Sequence, residues 1–456
     1  MSTAAFECPL TPRQQLRNVW LYSFNVAMTY FAAPVMYVGV LQSALCKHLE
    51  KSDDIANLPG SAYLWATPIP VLIIWYFPQV RALKKMMVAS YLLEALVSLL
   101  FLGVLYGDSQ NSSLARQLVV PMLVLHGAVL GVANGVANTC LWEVLGRGVS
   151  AARRGLAFTL AFGFGPFLAV VGSLGSQLIL GKKETLNFGE FAGPIQPALD
   201  WLGTHLGSFG YPLNYGIIFG ACVPAMLLSA VASAMVIVPM SDAERQEPIR
   251  PKLDRSNLGL HDFFGNRLIQ LAAVAYVFVY AAEQIGPNMN TYIQDLLGRK
   301  PEEYTGLCNV LRFGCKIVAG FVLGWLVIYS GPKMTLYVTA FLSLIGIAWA
   351  MRVTGTAYLW CFGIMGAGEL FGNYYPNYIA LCSHPHQVRR NMSYTNMITA
   401  AAGFAGVTYG SISKRWGIPW SFYAAFGFGI AALAVVVLLP KQPKPPAETA
   451  LPPRET

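Results

Sequence analysis

Charge is scarce in this chain: 12% of its 456 residues are Asp, Glu, Lys or Arg, against 55% hydrophobic. The polar residues are confined to short segments between long apolar runs, which excludes a water-soluble globular fold and points to a polytopic membrane protein. The eight cysteines form no Cys-x-x-Cys pair and no metal-ligand spacing. Neither a disulfide framework nor zinc is expected, and no cofactor. No Gly-x-x-x-x-Gly-Lys-Ser/Thr occurs, so the phosphate cradle of an ATP-driven machine is missing. No nucleophile–base constellation is present either, which argues against an integral-membrane enzyme. The net charge of +9 comes from bases scattered singly. They make no continuous face for nucleic acid and fit a positive-inside bias instead. The apolar run after Arg17 is too long for a signal-peptide core and carries Asn25, so it is expected to be retained as the first span.

What is present is a series of apolar windows, each about 20 residues and long enough to cross a hydrocarbon core of ~30 Å. They fall at 18–41, 61–80, 86–106, 117–142, 155–180 and 213–238, then at 267–290, 305–329, 333–351, 357–381, 393–412 and 419–439. The expectation is an all-α protein of twelve spans in two halves, 1–238 and 267–439, with a charged linker at 239–266 and a Pro-rich, disordered tail at 440–456. The bias of Lys and Arg places the linker and both termini on the cytoplasmic side of the cell membrane. In the long outer loop 181–212, Phe191, Ile195, Leu199, Leu202 and Leu206 recur at helical spacing, as a short amphipathic helix on the membrane face would require.

Six plus six spans around a charged central loop resemble the major facilitator superfamily over nearly the whole chain. The family's loop between spans 2 and 3 reads Gly-x-x-x-Asp-Arg-x-Gly-Arg-Lys. Here Arg81, Lys84 and Lys85 hold its basic positions, while Tyr76, Val80 and Leu83 replace Gly, Asp and Gly. The equivalent loop between spans 8 and 9 keeps Gly324, Gly331 and Lys333, with Ile328 in the acidic place. The resemblance implies two pseudo-symmetric six-helix bundles, a substrate near the midplane between spans 1, 4, 7 and 10, and a monomer. It also implies that Arg81, Lys84, Lys85 and Lys333 belong to the inner gate. Glu143, four residues before Arg147, adds a gate or surface ion pair.

The ionisable residues inside the windows are the sharpest signal, because a charge at the bilayer centre costs roughly 2.5–3.5 kcal/mol on insertion scales. Tyr276, Tyr280 and Glu283 share one face of span 7, with Gln284 adjacent and Asn288 one turn on. Arg312 and Lys316 share a face of span 8; Glu369, Asn373 and Asn377 form a stripe on span 10. From the 1.5 Å rise, Glu283 lies ~24 Å from the inner end of its window and the two bases roughly 10–17 Å from the outer end of theirs. All four charged groups are therefore expected to meet. They are either buried salt bridges that fix helix packing, or a site where Glu283 or Glu369 exchanges a proton and a base binds an anionic solute.

In the first half, Tyr22 and Asn25 on span 1 and Asn134 and Asn138 on span 4 are candidates for hydrogen-bonding a solute. Gly127, Gly131 and Gly135 read as a packing stripe. His126 reads as either titratable or structural, and Glu94 as facing its own bundle. The expected function is secondary active transport of a small polar organic solute (sugar, nucleoside or organic anion) by alternating access, as a proton symporter. The alternatives are a multidrug/proton antiporter and a transport-inactive receptor on the same scaffold.

Overall fold

The structure, a computed structural model, describes residues 10–150, 160–181, 209–249, 260–383 and 388–441, with Arg153, Leu156, Ala157, Trp201 and Thr204 between them. Among the described residues twelve helical spans follow one another. Span 1 runs as Pro12–Phe31, Ala33–Met36 and Val40–His48, span 2 as Asp53–Trp65 and Ile69–Tyr76, span 3 as Val80–Ser109 and span 4 as Ser113–Gly148. Span 5 starts as a π turn, Leu160–Phe164, and continues as Gly165–Leu180; span 6 is Leu213–Met235. Span 7 is split into Arg267–Glu283 and Gly286–Leu297, and spans 8 and 9 are Glu302–Ser330 and Pro332–Arg352. Span 10 is Gly355–Leu359, Trp360–Gly368 and Phe371–Leu381, span 11 is Val388–Ile398, Thr399–Ala402 and Gly403–Trp416, and span 12 is Ile418–Val437. The tail beyond Lys441 and the expected helix through Phe191 and Leu206 lie outside the described residues.

Among the described residues nine helical stretches are long and apolar enough to cross a membrane. Spans 1, 10 and 11 fall short of that measure; each is broken into shorter helices. Span 4 differs the other way: its 36 residues make ~54 Å of helix, more than the hydrocarbon core needs. Local chemistry sets these boundaries. Thr11 opens span 1 with a capping box, its backbone N–H donating to Gln14 Oε1 (2.9 Å), and Pro12 takes the first helical position, where its missing N–H costs nothing. Span 1 breaks again at Gly39, whose φ of 149° suits glycine; the Gln42 side chain accepts the freed Gly39 N–H (2.8 Å).

Spans 1–6 enclose one apolar core, and two further clusters lie mainly in spans 7–12, one of them including Val40 and Leu64 and the other Val71 of the first half. The glycine stripe of span 4 packs on span 2. A Cβ at Gly127, Gly131 or Gly135 would lie 2.4 Å from Pro59 O, 2.1 Å from Tyr63 O and 2.6 Å from Pro70 Cγ.

The two bundles meet tightly in their outer halves, outer and inner being named from the charge bias. Asn57 on span 2 donates to Asn288 Oδ1 on span 7 (2.6 Å). Asn290 donates to Val40 O (3.0 Å) and Ser43 Oγ (3.3 Å), and Gln177 on span 5 donates to Glu303 O on span 8 (2.6 Å). His48 Nδ1 lies 2.6 Å from Glu302 Oε2. In the inner halves the flanks stay in contact: Trp75 on span 2 meets Tyr394 on span 11 edge-on, 5.7 Å between ring centroids, and Phe321 of span 8 reaches Gly163 of span 5. Asn138 and Trp142 on span 4 and Asn377 and Leu381 on span 10 are exposed. The bundles are joined by direct hydrogen bonds at the outer end, and at the inner end these residues of two central spans are left uncovered.

Two outcomes test this packing. Gly131→Leu loses about 1–3 kcal/mol by overpacking, read as a lower unfolding midpoint in detergent, while Gly175→Ala, with nothing within 4 Å of its new Cβ, leaves the midpoint unchanged. A Ser43→Cys/Asn290→Cys pair forms a disulfide under mild oxidation that holds the halves together after cleavage of a protease site placed in the linker; an Asn138→Cys/Asn377→Cys pair does not.

Candidate functional site

Glu283 and Glu369 both sit where a helix breaks. Glu283 is the last residue of the first segment of span 7, because Pro287 lacks an N–H and its ring collides with the carbonyl four residues back, which is that of Glu283. Glu369 lies between the two long segments of span 10. The next backbone groups bond at i→i+3 spacing, Gly372 N–H to Glu369 O (3.1 Å) and Asn373 N–H to Leu370 O (2.9 Å). Glycines let the neighbours close in. A Cβ at Gly366 would stand 2.1 Å from Arg312 O, and one at Gly368 would stand 2.6 Å from Ser343 Oγ.

This brings together the charges expected from sequence. Arg312 donates Nε–H to Glu369 Oε1, and Lys316 Nζ lies 2.6 Å from Glu369 Oε2. One carboxylate thus bridges two bases, and the Lys316 side chain is only 4% exposed. Glu283 stands apart from that bridge: it accepts a hydrogen bond from Ser343 Oγ on span 9 and interacts electrostatically with Glu369, Arg312 and Lys316. Counted formally, the three bridged groups carry +1, and Glu283 brings the set to zero.

The other bundle covers this cluster. Tyr37, beside the break in span 1, has its ring centroid 5.6 Å from Arg312 Cζ and 5.1 Å from Lys316 Nζ, within cation–π range. Phe313 flanks Lys316 Nζ at 5.0 Å and packs edge-on against Tyr37 at 5.1 Å and Tyr30 at 6.1 Å. Tyr30, Tyr37, Phe313 and Ser343 escaped the sequence reading. Their signal was faint: Tyr30 and Tyr37 are seven apart, on one helical face, and Phe313 follows Arg312, but nothing local marks Ser343.

The remaining candidates divide. Tyr276 and Tyr280 lie on the span 7 face turned toward span 10, where Tyr276 stacks on Tyr375 (5.7 Å) and Tyr280 meets Phe371 edge-on (5.1 Å). Asn377 is exposed on the inner side, Asn373 half-buried above it. On span 4, Asn138 donates to Asn134 Oδ1 (2.8 Å) and Asn134 to Tyr63 OH (3.2 Å), a ladder leading from the exposed inner side to span 2. Gln284 lies nearer the outer closure, its Oε1 3.6 Å from where a Gly60 Cβ would be.

Tyr22 and Asn25 are placed otherwise. Tyr22 is buried in the first bundle's core, and Asn25 accepts from Ser233 Oγ (3.3 Å) and donates to Leu21 O (3.0 Å). The exposed face of span 1 is the Trp20–Phe24 side, because its polar residues are spent on packing against span 6. His126 is also internal, 3.2 Å from Ser98 Oγ. Glu94 is fully buried, and neither of its carboxylate oxygens has a hydrogen-bond partner among the described residues.

The inner-end residues engage the linker. Arg147 joins Glu143 (3.0 Å) and Glu244 (2.9 Å), and Glu244 caps the linker helix Asp242–Gln246 through Ser241. The Ser241 backbone N–H, and then Arg147, hold the Glu244 carboxyl below its usual range. Arg81 donates to Glu247 O (3.3 Å), Lys333 to Val437 O (2.8 Å), and Lys85 is exposed.

No family model and no curated relative matches the sequence. Solved structures do. The chain is similar to the nucleoside transporter NupG (10% identity, TM-score 0.56, 93% of this chain and 98% of that one). It is similar to FucP, a major facilitator transporter in the outward conformation (14%, TM-score 0.57, 93% and 97%), and to a D-xylose–proton symporter (14%, TM-score 0.59, 94% and 97%). At such identity the likeness speaks for the fold, and it extends over nearly all of each chain: this polytopic membrane protein has the major facilitator fold.

Proposed function

We propose that the chain is a secondary active transporter that moves a small organic anion by alternating access, coupled to protons in symport. The observation that carries this reading is the bridge of Glu369 between Arg312 and Lys316, at broken helices near the midplane and against span 1 of the opposite bundle. Solute and ion sites in such folds lie where discontinuous helices cross the membrane centre.

Charge counting supplies the coupling rule. With Glu283 ionised the four groups are neutral; with Glu283 protonated they carry +1 and accommodate one monoanion. Binding of a proton and an anion together keeps the buried set neutral, whereas either alone leaves an uncompensated charge, costly in a medium of low dielectric. The Asn138–Asn134–Tyr63 ladder and the span 10 asparagines offer hydrogen bonds to the uncharged remainder of the solute. Two bases against one bridging acid oppose a cationic substrate, which weighs against the multidrug antiporter. The D-xylose neighbour is named as a proton symporter, in keeping with this coupling.

The test is uptake by proteoliposomes offered a pooled library of carboxylates, organic phosphates, sugars and nucleosides under an imposed pH gradient. An organic anion accumulates with the gradient. Glu283→Gln, held permanently at +1, still exchanges that solute in counterflow but no longer accumulates it; gradient-driven accumulation in this variant contradicts the coupling role. Arg312→Gln lowers solute affinity by about 10–100-fold, the worth of a charge-assisted hydrogen bond. Glu369→Gln leaves two bases without their carboxylate and lowers stability by about 3–5 kcal/mol, read as the unfolding midpoint, and the transported anion restores part of that loss.

A further inference from the structure

The bases of the loop between spans 2 and 3 lack the acid that a gate of that kind uses, since Val80 stands in its place. Arg81 and Lys84 line an open groove of about 550 Å³ at the inner ends of spans 1, 3 and 6, and Arg17 of span 1 lines it with them. Val80, Val236 and Ile237 supply an apolar wall.

Arg17 donates to Met235 O (2.9 Å) and Arg81 to Glu247 O (3.3 Å). Those acceptors are neutral carbonyls, and no carboxylate pairs with Arg17, Arg81 or Lys84 among the described residues. Of the described linker acids, Glu244 is engaged by Arg147, Glu247 offers Arg81 its backbone, and Asp242 is exposed with no ion pair among the described residues. Three positive charges around a pocket with an apolar wall, set where three helices end, call for a ligand with an anionic head and a hydrocarbon body.

We propose that this groove is a binding site for an anionic phospholipid of the leaflet on the side of the termini, its phosphate held by Arg17, Arg81 and Lys84. Basic pockets at the cytoplasmic ends of spans recognise lipid headgroups in this manner. The lipid phosphate then takes the part of the missing acid, joining span 1 to span 3 and, through Arg81, to the linker.

Native mass spectrometry of the purified full chain with phosphatidylglycerol and phosphatidylcholine tests this. Phosphatidylglycerol binds saturably and phosphatidylcholine far more weakly. Each of Arg17→Gln, Arg81→Gln and Lys84→Gln lowers phosphatidylglycerol affinity about fivefold, while Arg352→Gln at the opposite end does not. Equal binding of the two lipids, or unchanged affinity in Lys84→Gln, overturns the proposal. Lys84→Gln breaks no hydrogen bond among the described residues, so this arm survives should the arginine variants misfold. Inorganic phosphate is the soluble arm: failure to displace the lipid supports the lipid site, and full displacement identifies a free-anion site and overturns it.

Discussion

A base carried into the hydrocarbon core must bring or find its counter-ion. Arg312 and Lys316 find theirs in Glu369, and the surrounding architecture serves that contact. Span 10 is interrupted at the acid, Gly366 lets span 8 come within backbone contact, and Gly368 does the same for Ser343 of span 9. Tyr37 then closes the cluster from the other bundle. Such a bridge is poor evidence for stability alone, because desolvation offsets much of the attraction. Its position at the seam between the two bundles is what supports the proposed reading, a site that trades one anion for another.

The closed outer end depends on a different chemistry. Asn57, Asn288, Asn290 and Ser43 join the bundles by neutral hydrogen bonds, each worth only about 0.5–1.5 kcal/mol net, beside the His48–Glu302 and Lys414–Asp54 pairs. The polar residues Asn138 and Asn377, toward the inner end, are exposed instead.

Much of this was legible in the chain, for a physical reason. Apolar windows are dictated by the thickness of the bilayer, so the twelve spans and the meeting of Glu283, Arg312, Lys316 and Glu369 near the midplane follow from hydropathy and helical rise. The breaks were less so. Pro287 foreshadows the one after Glu283, but that in span 10 has no proline to announce it. Tyr22 and Asn25 lie within the first bundle, a placement not legible in the sequence because polarity alone does not separate a cavity-lining amide from one such as Asn25, bonded inside its bundle to Ser233 and Leu21. Aromatic groups that act across the seam, Tyr37 above all, are contacts of tertiary structure and leave almost no local trace. Glu94 is buried with no hydrogen-bond partner among the described residues, and nothing in the pattern of span 3 explains it.

The central claim is that the midplane cluster takes an anion, and ligand-induced stabilisation of the purified protein measures it most directly. The unfolding midpoint is recorded with carboxylates, organic phosphates, sugars, nucleosides and amphipathic cations at fixed ionic strength. Stabilisation by an organic anion that is lost in Arg312→Gln is the predicted result. Stabilisation by neutral or cationic solutes alone, undiminished in that variant, would contradict it.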